Sequence, residues 1–295
     1  MEHVWALLRT ADFSVSEILH GTQIVEIANE ILLFFCFISA WIVRTVYYWI
    51  IYRRCALRRS DVRFRGRTYV VTGANSGIGA EVVKELFNRN ARVLMLVRNV
   101  AAGVQLKKSL RLANLSSFGE IKIVPMNLSY IRSVRQAAVA ILGTETKIDG
   151  LICNAGMGAV RNHRVTPDGC EEVIQVNFMA HLVLTELLMP LLKPSGVVVN
   201  VSSFVSAYTK TFDMHFFDFS KEDYSGLQAY FRSKYLINAY TKRNAKEHPE
   251  VSFYAVNPGI VHTPIGDYFV KLFTPSILIP FIQPFAYIVQ WLIAR

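Results

Sequence analysis

The sequence predicts a doubly wound parallel α/β sheet forming a single domain, preceded by an N-terminal membrane-anchor helix. Three observations carry this. Short β-branched apolar runs recur along the 295-residue chain, at Thr68–Val71, Arg92–Val97, Ile121–Pro125, Leu151–Cys153, Val197–Val201 and Ser252–Val256. Stretches of helical spacing lie between them, which implies crossovers, parallel pairing and a sheet covered on both faces. A glycine-rich turn, Gly73-Ala74-Asn75-Ser76-Gly77-Ile78-Gly79, follows the first run directly.

Composition narrows the function classes. The chain is 52% apolar and 18% charged, which excludes a disordered protein. Its net charge of +10 is unevenly spread. Arg44, Arg53, Arg54, Arg58, Arg59, Arg63, Arg65 and Arg67 crowd one stretch beside an apolar run, the pattern that orients a membrane segment. The stretch has no interleaved base-stacking pattern, so it does not read as a nucleic-acid site. The cysteines, Cys36, Cys55, Cys153 and Cys170, have no paired spacing and no accompanying histidine cluster. That argues against a metal site or a disulfide framework and fits a reducing compartment.

The anchor is expected at about 31–52, within a segment 1–60. Ile31–Val43 carries no charge, Arg44 interrupts, and Val46–Tyr52 continues apolar and aromatic. The length is about that of a bilayer-spanning helix. Tyr47, Tyr48, Trp49 and Tyr52 suit the interface, and the positive-inside rule puts Arg53–Arg67 and the domain 61–295 in the cytosol. A buried core helix and a helix lying in the interface are the alternatives. A cleaved signal peptide fits poorly, because the apolar run starts late and lacks a basic leader.

The glycine turn is flanked by a strand and by Ala80–Asn88, where Val82, Val83, Leu86 and Phe87 keep helical spacing. In that context glycines allow a tight turn and let a dinucleotide's pyrophosphate approach the N–H groups at the helix start. At the end of Arg92–Val97 a protein selecting NAD would offer an acid to the ribose. Arg98-Asn99 stands there instead, and a guanidinium suits the 2′-phosphate of NADP(H). The alternative for Arg98 is a solvated surface cation. Farther on, Tyr230 and Lys234 are four residues apart and share a helix face. A phenol titrates near pH 10, and a nearby ammonium is expected to lower that value. Tyr208, Tyr224, Tyr235 and Tyr240 compete, but none has a lysine four residues on.

These motifs in this order resemble the short-chain dehydrogenase/reductase family: Thr72–Gly79 spaced Gly-x-x-x-Gly-x-Gly, Asn154-Ala155-Gly156, Ser202-Ser203, Tyr230-x-x-x-Lys234 and Asn257-Pro258-Gly259-Ile260-Val261-His262-Thr263. The likeness runs from Arg67 to about residue 290. It implies a Rossmann-type fold and a nicotinamide-dependent oxidoreductase with Asn177, Ser203, Tyr230 and Lys234 as catalytic residues. Tyr230 would exchange the proton and Ser203 would hold the substrate oxygen. Lys234 would reach the nicotinamide ribose, and the Asn177 carbonyl would help hold a relay water. Ser202 is the neighbour that could be confused with Ser203.

The resemblance also implies the cofactor's contacts. Gly73, Asn75, Ser76, Gly77, Ile78 and Gly79 would hold the pyrophosphate, with Arg98 and Asn99 at the 2′-phosphate. Asn127, where the family has aspartate, would face the adenine. Asn154, Ala155 and Gly156 would lie near the ribose, and Pro258, Gly259, Val261 and Thr263 near the nicotinamide. His262 reads as a loop histidine rather than a second acid/base.

The insert before Tyr230, with Phe212-Asp213, Phe217-Asp218 and Tyr224-Ser225, resembles the retinol dehydrogenase-like branch. That implies a lipophilic alcohol or carbonyl substrate and a membrane setting at the endoplasmic reticulum or lipid droplet, with a homo-oligomer left open. Residues 268–295 are apolar and interrupted by Pro275, Pro280 and Pro284. A lid over the substrate pocket and a segment dipping into the bilayer are compatible readings, and a second membrane span is the third, which the prolines disfavour. The family's further helix and seventh strand are expected to be missing. A second function class therefore stays open: a catalytically weak, nucleotide-binding variant serving as a membrane-associated interaction protein.

Overall fold

A computed structural model describes residue 39 and residues 63–192, 194–209 and 224–259. The expected anchor at 31–52 (Ser39 apart), the arginines before residue 63, the insert at 212–218, Val261 to Thr263 and the apolar stretch 268–295 lie outside the described residues. By its contacts the chain divides into Met1–Asp61 and Val62–Arg295. The second unit carries the sheet.

In chain order this unit runs β1 (Thr68–Thr72), α1 (Gly77–Asn88), β2 (Arg92–Val97), α2 (Val100–Ala113), β3 (Glu120–Pro125), α3 (Ile131–Leu142), β4 (Gly150–Cys153), α4 (Glu172–Leu192), β5 (Val197–Val201), α5 (Gly226–Glu247) and β6 (Ser252–Val256). The sheet order is β3-β2-β1-β4-β5-β6 and every pairing is parallel. The chain winds outward from β1 to β3, then returns to the other side of β1 for β4. That reversal opens a crevice at the carboxyl ends of β1 and β4, the place where such sheets bind ligands.

Strand alternation builds two cores. On β2, Leu94 and Leu96 face one side, with Leu151, Val198, Ile141, Leu184, Leu188 and Leu192. Val93, Met95 and Val97 face the other, with Val71, Val83, Phe87 and Leu110. A central strand buried on both faces needs an unbroken apolar run, and Arg-Val-Leu-Met-Leu-Val supplies it. Each fully buried aliphatic side chain contributes about 1.5–3 kcal/mol. By length and apolarity alone α4 could cross a membrane. Leu184, Leu188 and Leu192 are wholly buried in the first core, so it is a core helix.

Two boundaries differ from the sequence expectation in ways that matter. The first helix begins at Gly77, inside the glycine loop, so Gly77, Ile78 and Gly79 form its first turn. Gly77 takes a positive φ of 52°, and Gly79 leaves no space for a side chain against Gly73 and Asn154. The long helix α4 is not uniform: a π turn, Gln175–Met179, interrupts it between Glu172–Ile174 and Ala180–Leu192. Asn177 sits at the middle of that turn. Single π turns inside α-helices mark functional positions.

Candidate active site

The glycine loop leaves β1 and folds back against the end of β4. A Cβ on Gly79 would lie 2.3 Å from the Gly73 carbonyl oxygen and 2.6 Å from Asn154 Nδ2, and one on Gly73 would lie 2.9 Å from Ala155 Cα. Gly73 also has φ +61°, a left-handed conformation open to glycine. Ser76 stands at the N-cap of α1 without a side-chain capping bond, and the first turn carries no acid. The positive end of the helix dipole is therefore left to an anion, which fits a dinucleotide's pyrophosphate.

Thr72 joins the two ends. Its Oγ1 accepts the Asn154 and Ala155 backbone N–H groups at 3.0 and 2.9 Å, and Asn154 Nδ2 donates to the Thr72 carbonyl at 3.0 Å. Arg98 is exposed just past the end of β2, at the carboxyl edge of the sheet. Asn99 caps α2 through its side-chain oxygen, which accepts the Ala102 N–H at 3.1 Å. Asn127, expected near the adenine, spends its side-chain oxygen on the Ser129 N–H at 3.0 Å, an Asx turn. Pro258 and Gly259 follow β6, with the Gly259 N–H donating to Asn257 Oδ1 at 3.1 Å.

The reacting residues converge from β5, α4 and α5. Tyr230 and Lys234 lie on one face of α5, with Lys234 Nζ 5.7 Å from the Tyr230 ring centre. Ser203, just past β5, hydrogen-bonds the Tyr230 phenol. Ser202 instead donates to the Lys234 backbone carbonyl at 3.3 Å, which separates the roles of the two serines. Lys234 Nζ donates to the Val201 carbonyl at 2.9 Å. The Asn177 side chain is fully engaged in structure. Its Oδ1 accepts the Met157 N–H at 2.8 Å, and its Nδ2 donates to the Met157 carbonyl at 3.0 Å and to Ser233 Oγ at 3.1 Å. That leaves its main-chain carbonyl as the group turned to other partners.

The short chain dehydrogenase family model matches residues 67–216. The chain belongs to that family. Over 210 residues it is 36% identical to human Retinol dehydrogenase 12, covering 70% of this chain and 65% of that one. It is 37% identical over 218 residues to human Retinol dehydrogenase 14, covering 68% and 63%. The chain thus spans just under two thirds of the length of these curated relatives. Among solved structures, an uncharacterized protein from Mycobacterium Paratuberculosis is 31% identical with a TM-score of 0.57, over 70% of this chain and 72% of that one. A metagenomic short-chain oxidoreductase in complex with NADP is 26% identical with a TM-score of 0.55, over 74% and 93%.

Electrostatics in this short-chain dehydrogenase depart from one sequence expectation. A neighbouring ammonium was expected to pull the phenol's pKa down. Burial wins instead and pushes Tyr230 up to about 12, with the Ser203 hydrogen bond acting in the opposite sense. Tyr230 sits among Ala159, Val173, Val205 and Ala229, where a phenolate would be poorly solvated. Burial also presses Lys234 down to about 8. At neutral pH the phenol is protonated, the state of a proton donor.

Two functional-site residues were not singled out from sequence: the Thr72 hydroxyl, and His181, 5% exposed and one helical turn beyond Asn177. The spacing of four from Asn177 was the available signal. Burial lowers the His181 pKa to about 4, with the Lys234 charge adding to it and a hydrogen bond to Asn177 opposing it. The folded value lies below the ordinary 6.5, so the stability tied to neutral His181 is whole above pH 6.5. It is lost as pH falls from 6.5 to about 4, roughly 3 kcal/mol in all. Urea-unfolding midpoints should therefore fall across that window in wild type, and the slope should flatten in His181→Gln.

Proposed function

We propose that this chain is a membrane-associated oxidoreductase moving a hydride between NADP(H) and a lipophilic alcohol or carbonyl of the retinoid, steroid or lipid-ketone class. Tyr230 is its acid/base. The observation that carries this is Ser203 hydrogen-bonded to a buried, protonated Tyr230 beside Lys234. When bound, the nicotinamide supplies or takes the hydride. Ser203 holds the substrate oxygen and stabilises the charge developing there. The phenol, which burial keeps protonated at neutral pH, delivers its proton to that oxygen as the hydride arrives at the carbonyl carbon. Lys234, still largely protonated at pH 7, places a cation next to the phenolate that forms.

The substrate class is supported by the names of the retinol dehydrogenases and by the apolar surroundings of Tyr230. NADP(H) is supported by the NADP complex of the metagenomic oxidoreductase and by Arg98 in place of an acid. Arg98→Asp should shift preference from NADPH toward NADH by about tenfold, read as the ratio of the two kcat/KM values. An unchanged ratio would mean another residue reads the phosphate. Membrane association rests on the apolar run at 31–52 and the arginines after it. The catalytic domain is placed on the cytosolic side, which protease protection on microsomes tests.

The deciding experiment is NADPH oxidation by the full chain with retinal, steroid and aliphatic carbonyl panels. Turnover with one lipophilic class supports the reading. NADPH binding without turnover on any of them would favour the nucleotide-binding, non-catalytic alternative.

A further inference from the structure

His181 is a buried titratable side chain that the proposed chemistry does not use. Its ring stands between the two halves of the site. Nε2 lies 2.9 Å from Thr72 Oγ1, and Nδ1 lies 3.1 Å from the Asn177 backbone oxygen. The two contacts assign its hydrogens independently. A carbonyl oxygen only accepts, so Nδ1 carries the hydrogen. Thr72 Oγ1 already accepts two backbone N–H groups, so its hydroxyl is left to donate; Nε2 at 2.9 Å is a nearer acceptor than the Ile152 carbonyl at 3.5 Å, so Nε2 accepts. Both ends require the same neutral tautomer. A second hydrogen on the ring would aim a donor at an oxygen whose lone pairs are full. Among the described residues no carboxylate offsets a charge there; Cys153, Asn200, Ile237 and Tyr240 are among those that share a small pocket with it, and Lys234 acts on it as a like charge.

We infer that His181 is a positioning residue, which as the neutral Nδ1–H tautomer ties the glycine-loop anchor Thr72 to the Asn177 carbonyl in the π turn of α4. Thr72 in turn holds Asn154 and Ala155 against Gly73, and Asn177 holds Met157 and Ser233. One imidazole therefore sets the separation between the loop that receives the dinucleotide and the turn that abuts Tyr230. The contact joins residues 109 apart in sequence. This inference rests on the proposed NADP(H)-dependent function.

The test replaces each end of the ring separately in the full chain. Gln places an acceptor near the Nε2 position and can keep Thr72. Asn places a donor near the Nδ1 position and can keep the Asn177 carbonyl. Phe keeps ring volume and loses both. NADPH affinity is measured by nucleotide fluorescence, kcat and KM with a lipophilic carbonyl, and Tm without nucleotide. His181→Phe is expected to weaken NADPH binding and lower kcat by about tenfold each. His181→Gln should restore most of the affinity but not kcat, and His181→Asn most of kcat but not the affinity. If Tm alone falls while affinity and kcat stay at wild-type values in all three, His181 merely fills the core and the inference is overturned.

Should His181→Phe fail to fold, Thr72→Val and Thr72→Ser probe the same link from the loop. Val should weaken NADPH binding about tenfold and Ser should restore it; equal affinity in both overturns the inference. A wild-type chain that binds no NADPH would sink the functional reading and this one together. Wild-type binding that every variant matches would sink this one alone.

Discussion

Tyr230→Phe should lower NADPH-dependent carbonyl reduction about a thousandfold while NADPH still binds. The substitution removes one oxygen and keeps the ring that packs among Ala159, Val173, Val205 and Ala229. What is lost is the proton that neutralises the oxygen of the reduced carbonyl, and positioned acid catalysis is worth about 10²–10⁴-fold. Ser203 remains to stabilise charge, so residual turnover should survive. The check is initial rate against nucleotide affinity measured on the same preparation. Equal rates in wild type and variant would remove Tyr230 from the chemistry. Loss of NADPH binding in parallel with rate would make it a structural residue.

Gly79→Ala should abolish nucleotide binding and lower stability through a single added methyl. The added carbon would meet the Gly73 carbonyl oxygen at 2.3 Å and Asn154 Nδ2 at 2.6 Å. Neither neighbour can yield cheaply. The Gly73 backbone is held against Ala155, and Asn154 Nδ2 is bonded to the Thr72 carbonyl. Forced overpacking of this kind costs about 1–3 kcal/mol and moves backbone. The shifted backbone is the loop that would receive the pyrophosphate, so nucleotide affinity should fall below detection as Tm falls. Gly143→Ala is the control. Its Cβ would meet only the Val139 oxygen, at 3.4 Å, and φ is an ordinary −77°. Stability should change there by no more than about 0.5 kcal/mol, with nucleotide affinity intact. Equal losses in the two variants would contradict the crowding argument.

Much of the fold was legible because its signals are local. β2 is apolar at every position after Arg92, a pattern that only a strand covered on both faces requires. The glycines at 73, 77 and 79 could be placed between strand and helix from their neighbours alone. Tyr230 and Lys234 could be assigned to one helix face from their spacing. The parallel pairing and the six strands then emerged where the runs were read.

What the chain left unsaid depends on distance in space. Whether a lysine or burial controls a phenol cannot be read from a spacing of four, because desolvation is set by residues from the loop after β4, from α4 and from the turn after β5. Nor does the sequence reveal that the Asn127 side-chain oxygen accepts a local N–H and that the Asn177 side chain is engaged by Met157 and Ser233. The sequence by itself determined the doubly wound sheet, the family and the placing of Tyr230 and Lys234 on one helix face, since each is written in periodicity, motif order or fixed spacing. Only the tertiary structure decided that Tyr230 is held protonated. It also decided that Ser203 rather than Ser202 meets Tyr230, and that His181 bridges Thr72 to Asn177. Those outcomes follow from burial and from hydrogen-bond partners such as Ser203 with Tyr230 and His181 with Thr72, 27 and 109 residues apart; of these contacts only that of His181 with Asn177, four residues apart, is local.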